Sequence, residues 1–228
     1  MLNNPKSPVS APVFLLALAS VGSLSPVAAN IVLTRGLGGA YLIWNLFLAW
    51  LPLLFAVLAC GHFRLGDRLG WRFWSASGAW LLFFPNAPYI FTDLVHLHTW
   101  HREHYWPAWS VILMCAVTGL AVGFVSLYLM QSLVTRRFGP VRGWLFVAAV
   151  AGMSGVGIYL GRFLRVNSWD VVAHPVEVFG SLGQFAAQAA TDVNALAFAV
   201  LASLFLFTTY LALCALTHLP ANLLENSK

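Results

Sequence analysis

Polar residues in this chain fall in short clusters, and between them run six mostly apolar stretches, approximately 12–33, 37–60, 71–95, 107–132, 143–163 and 193–218. Each is long enough for an α-helix to cross the ~30 Å hydrocarbon core of a bilayer, which takes about 20 residues. Before the last stretch lies "HPVEVFGSLGQFAAQAATD", which is too polar to span. In it Val178, Phe179, Leu182, Phe185, Ala186 and Ala189 recur at spacings of three and four, with Glu177, Ser181, Gln184 and Gln188 turned away from them. That periodicity predicts a helix lying on the outer membrane surface, or else a loop packed over the bundle. The pattern as a whole predicts an all-α integral membrane protein. Its expected form is a six-helix transmembrane bundle in a single domain over residues 1–228, with no internal repeat and no linker.

The first stretch has a second reading. "SPVAAN" puts Val27 and Ala29 at a signal-peptide cleavage spacing behind "VFLLALASVGSL", although the apolar run continues through Ile31 to Leu33.

Composition agrees with the pattern. With 60% hydrophobic and 8% charged residues, the chain has too little polar surface to cover a soluble globule of its length. The formal charge of +5 bears on orientation, and no basic run with interleaved aromatics points to a nucleic-acid partner. Arg64, Arg68 and Arg72 follow the second stretch, and Arg136, Arg137 and Arg142 follow the fourth, so both loops are expected inside. Lys6 and Lys228 then place both termini in the cytoplasm. Cys60, Cys115 and Cys214 lie far apart in apolar surroundings and read as small core residues.

Two polar clusters interrupt the apolar stretches, and the first is "FPNAPYIFTDL" at residues 84–94. Pro85 lies roughly 21 Å into the core by helix rise, which puts the break in the outer third of the third helix. Backbone groups freed there are tolerated only against protein or water. Asn86 can cap the break or bind a ligand, and Asp93 near the outer boundary needs a partner or water. Asn45, about 12 Å below the outer start of the second helix, is level with the break and is expected to bond the freed backbone.

"GRFLRVNSWD", residues 161–170, is the second cluster. Arg162, about 28 Å from Gly143, reaches nearly the depth of Asp93. If the helix continues, Arg162 and Arg165 share a face, with Asn167, Ser168 and Asp170 just beyond. Outward-facing arginines run against the positive-inside tendency, so neutralisation by Asp93, Asp170 or a bound anion is expected. One reading is a structural salt bridge between Asp93 and Arg162 with Asn86 as a cap. The other is a ligand site on the same groups, because proline-broken helices beside ionisable residues are how transporters build theirs.

Other motifs are weaker. His96, His98, His101 and His104 have HxH and HxxH spacings that zinc or copper can use, but an aromatic, histidine-rich interfacial loop explains them as well. Ser168, Asp170 and His174 lack any nucleophile elbow, and no cofactor is expected. Gly119 with Gly123 and Gly157 with Gly161 form two GxxxG pairs, suited to packing inside the bundle or to a homodimer.

"FFPNAPYIFTDLVHL" together with "GIYLGRFLRVNSWD" resembles an uncharacterised family of bacterial multi-pass membrane proteins; "WNLFLAWLP" and "TGLAVGFVSLY" extend the similarity over most of residues 40–218. The resemblance implies an inner-membrane protein and supplies no activity. Its motifs fall on Asn45, Asn86, Pro88, Asp93, Arg162, Arg165, Asn167 and Asp170. The family also has an acidic residue soon after the tryptophan opening the fourth helix, where this chain has Trp109 and Ser110, so a role needing that carboxylate is in doubt. Three functional classes remain: a binding or transport protein for an anionic small molecule or lipid headgroup, an enzyme on lipid-linked substrate at the outer face, and a structural subunit.

Overall fold

The computed structural model describes residues 10–35, 37, 39–64, 70–99 and 105–217. Lys6, Arg68, His101, His104 and Lys228 lie outside them. The chain divides into two compact units, Met1–Pro140 and Val141–Lys228.

The first unit holds α1 (Ser10–Thr34), α2 (Ala40–Arg64), α3 (Trp71–Phe83), α4 (Asn86–Tyr89), a 3-10 helix (Ile90–Thr99) and α5 (Tyr105–Phe138). The second holds most of α6 (Pro140–Phe163), then α7 (Asp170–Ala173), α8 (Pro175–Thr191) and α9 (Val193–Thr217). No strand occurs among the described residues. Among the described residues, five helices are long and apolar enough to cross a membrane: α1, α2, α5, α6 and α9. The third predicted crossing is built differently, from a 13-residue α3 followed by α4 and the 3-10 stretch.

Prolines explain the break. Pro85 and Pro88 have no N–H to offer the preceding turn, so the regular ladder cannot pass through them. Phe84 N–H still reaches Trp80 O at 2.9 Å, but Ala87 N–H turns to Phe84 O at 3.1 Å, one residue short of the α-helical partner. Phe83 O, left without its usual backbone donor, receives the Asn86 side-chain amide at 2.9 Å. Asn86 is thus a local cap of the break.

Despite the break, the segment stays in step with α2, which runs antiparallel to it. Phe63 meets Phe73 with ring centroids 6.0 Å apart, Phe55 meets Phe83 at 5.7 Å, and Asn45 meets Asp93. From Phe63 back to Asn45, α2 rises about 27 Å at 1.5 Å per residue.

Close backbone approach holds the segment against α5. Lipid tails offer helices no hydrophobic drive to associate, so packing of small residues does that work. Ala49, Ala87 and Ala116 are fully buried, in a cluster with Leu46, Ile90, Ile112 and Cys115. A Cβ at Gly123 would come within 2.6 Å of Ala87 Cβ, and one at Gly119 within 2.8 Å of Ile90 Cδ1. The α5 GxxxG face is therefore occupied from inside the chain. On α5, Ser126 accepts from Trp80 Nε1 at 3.1 Å and donates to Gly123 O at 2.7 Å.

In the second unit α6 and α9 also pack antiparallel. A Cβ at Gly155 would collide with Ser203 Oγ and Ala199 O, and Trp144 meets Phe207 and Tyr210 edge-on. The amphipathic segment is a helix, α8, but its apolar face is split. Val178 is buried and Phe185 half-buried against Tyr159, whereas Phe179, Leu182 and Ala186 are exposed. Gln188, expected on the outer side, turns inward and accepts the Tyr159 hydroxyl proton at 3.0 Å. The helix consequently has three sides: one packed, one apolar and exposed, and one polar with Glu177 and Gln184.

Replacing Gly123 by leucine should cost about 1–3 kcal/mol, since the new side chain has to displace Ala87. Gly152→Ala, where a Cβ meets nothing within 4 Å, should be neutral or stabilising by about 0.5–1 kcal/mol. Thermal unfolding in detergent reads both, and equal shifts for the two variants would refute the close approach.

Candidate functional site

The first polar cluster is built where α2 and the 3-10 stretch meet. Asn45 Nδ2 donates to Asp93 Oδ2 at 2.7 Å, and Asp93 is only 2% exposed. The buried carboxylate lies at the end of the broken segment, where a charge facing lipid would be costly and a hydrogen-bond donor offsets part of that cost. Asn45 was expected to bond freed backbone; it is given to the carboxylate instead, and Asn86 serves the backbone. Thr92 donates its hydroxyl proton to Tyr89 O at 2.7 Å, a further local closure.

Polar groups from two more helices gather in the same unit. Cys115 is buried on α5 and its thiol donates to Ser23 O at 3.6 Å. Trp50 Nε1 donates to the Ser20 hydroxyl at 3.1 Å. Ser20 and Ser23, both buried, were not singled out from the sequence; their three-residue spacing within α1 was the only signal available.

The second cluster closes α6. Arg162 is half-buried in the last turn of that helix. The helix then stops at Phe163, and Arg165 takes a left-handed backbone with φ 56°. The two arginines therefore do not share the face of a continuing helix. Leu164 N–H and Val166 N–H both return to Leu160 O, at 3.1 and 3.2 Å, so one carbonyl at the helix end accepts twice. Arg165 itself is exposed.

Asn167 and Asp170 then form a reciprocal turn. Asn167 donates its backbone N–H to Asp170 Oδ2 at 2.7 Å and its amide to the same oxygen at 3.3 Å, while Asp170 N–H donates to Asn167 O at 3.0 Å. This ties the Asp170 carboxylate to the start of α7. Asp93 belongs to the first unit, and Arg162, Arg165, Asn167 and Asp170 belong to the second.

Among the described residues no three histidine, cysteine or acidic side chains are grouped so as to hold a metal ion. His96 and His98 fall in the 3-10 stretch, with side chains outside the described ones.

Several apolar helices of spanning length, with α2 joined to its broken neighbour by the Asn45–Asp93 hydrogen bond, mark a multi-pass membrane protein. The chain belongs to the family described as "Protein of unknown function (DUF1361)", whose model matches residues 44–209. That stretch contains Asn45, Asn86, Asp93, Arg162, Arg165, Asn167 and Asp170. No curated protein and no solved structure matches the chain.

Asn45→Ala and Asp93→Ala should each destabilise the protein in detergent, and the double variant should lose less than the sum of the two. A coupling of about 1–3 kcal/mol is expected for a buried hydrogen-bonded pair. Strictly additive losses in a double-mutant unfolding cycle would mean that the contact does not hold the segment.

Proposed function

We propose that this protein binds or transports an anionic small molecule or lipid headgroup, and that Arg162 and Arg165 supply the positive charge. Arg165 carries this reading. A left-handed φ costs a non-glycine residue on the order of 1 kcal/mol or more, and such strain collects where a side chain has work to do. Glycine is the usual occupant at this point of a helix end. An exposed arginine held there at φ 56° is explained by a use for its guanidinium. Its fork suits a phosphate or carboxylate, which can take two hydrogen bonds at once.

In this reading the broken segment is a sixth crossing. Support comes from its register with α2, which matches it over about 27 Å of helix rise, close to the ~30 Å core. The protein then has both termini in the cytoplasm of a bacterial cell and lies in the inner membrane, with Arg162 and Arg165 at the outer boundary. Asn45 and Asp93 keep the sixth crossing seated against α2.

Arg165→Gly tests the proposal without straining the backbone. The variant should unfold at the same temperature as the native protein or slightly higher, while retention of co-purifying anionic ligand falls by about tenfold or more, as expected for a lost charge-assisted contact. Mass spectrometry of the purified proteins reads the ligand, and unchanged retention in the variant would sink the idea.

A further inference from the structure

Arg162 and Arg165 end one spanning helix, and the chain reaches the next spanning helix, α9, through α7 and α8 alone. A segment tied at both ends to crossings on one side of a bilayer lies at that boundary, within the zone of headgroups and upper acyl chains. The division of α8 into three sides fits such a position: Val178 and Phe185 face protein, Glu177 and Gln184 are polar, and a third side is apolar and exposed.

That third side continues the apolar surface that follows the arginines. Trp169 is 39% exposed, and beyond it Val172 on α7 and Val176 and Phe179 on α8 are 83%, 82% and 73% exposed. On the other flank Phe163, between the two arginines in sequence, is 55% exposed. Cationic and apolar surface thus alternate over a few residues. A free phosphate has no use for the apolar part, whereas a phospholipid matches both: an anionic headgroup for the guanidinium and acyl chains for the valines and phenylalanine. Tryptophan at this level is also the residue type that favours the membrane interface.

We infer that the ligand of the arginine pair is an anionic phospholipid, which enters sideways from the outer leaflet along the exposed strip of α7 and α8. This inference rests on the anion-binding reading above and narrows it to lipid. Both arms of the contact lie within the unit Val141–Lys228.

The test uses the full chain in phosphatidylcholine nanodiscs containing a small fraction of phosphatidylglycerol, with soluble glycerol phosphate as the second probe. Native mass spectrometry should show phosphatidylglycerol enriched about tenfold over phosphatidylcholine on the native protein, and Arg165→Gly should abolish that preference. The double variant Val176→Gln/Phe179→Gln, and separately Val172→Gln, all at exposed positions, should reduce phosphatidylglycerol retention several-fold by removing apolar contact while leaving glycerol phosphate binding as in the native protein. Two results would overturn the inference. If the glutamine variants retain phosphatidylglycerol like the native protein, the strip is not part of the site and only the anion-binding reading survives. If the native protein neither prefers phosphatidylglycerol nor binds glycerol phosphate, both readings fall.

Discussion

A backbone carbonyl buried away from water must find a donor, and two prolines three residues apart withhold two of them. Much of the first unit follows from that constraint. Asn86 turns back to Phe83 O because the ladder has slipped, and the chain continues as α4 and then as a 3-10 helix. The exposed polarity of such a segment requires protein on its flanks. Gly119 and Gly123 on α5 and Ala49 on α2 provide that cover by letting backbone come close enough to leave no gap.

Asp93 can be buried only because the segment is fixed in this way. Its position opposite Asn45 depends on α2 and the broken segment advancing together over two turns and more, and the Asn45 amide then meets the carboxylate at 2.7 Å. The second unit solves a separate problem, the end of a long apolar helix. There Leu160 O accepts two N–H groups, Arg165 adopts the left-handed turn, and Asn167 and Asp170 restart the chain toward α8. Arg165 in this cluster is exposed, whereas Asp93 in the first unit is buried.

Most of the architecture was legible in the sequence because apolar length alone dictates where helices cross a bilayer. Five of the stretches became helices of that kind, and the two prolines announced where the third would break. Asn86 as a cap was also readable, since an amide beside a proline has few other uses. The partner of Asn45 was not, because depth counting fixes level but not rotation about the helix axis. For the same reason Gln188 was assigned to the wrong side of α8: an amphipathic pattern separates polar from apolar but cannot say that a tyrosine hydroxyl waits on the packed side. The end of α6 at residue 163 was legible as the end of the apolar stretch, but the left-handed turn after it was not, because Arg165 occupies the position that glycine would have signalled.

The matched steps between α2 and its broken neighbour make the stretch from Phe83 to Asp93 a measuring rod. Both strands of the pairing use ten residues between the Phe55–Phe83 contact and the Asn45–Asp93 contact. Losing or gaining one residue there would turn the following side chains by about 100–120° and shift them by about 1.5–2 Å, moving Asp93 off its partner. The break is therefore held in length as well as in composition, since Ala87 packs against Gly123 and Asn86 caps Phe83 O.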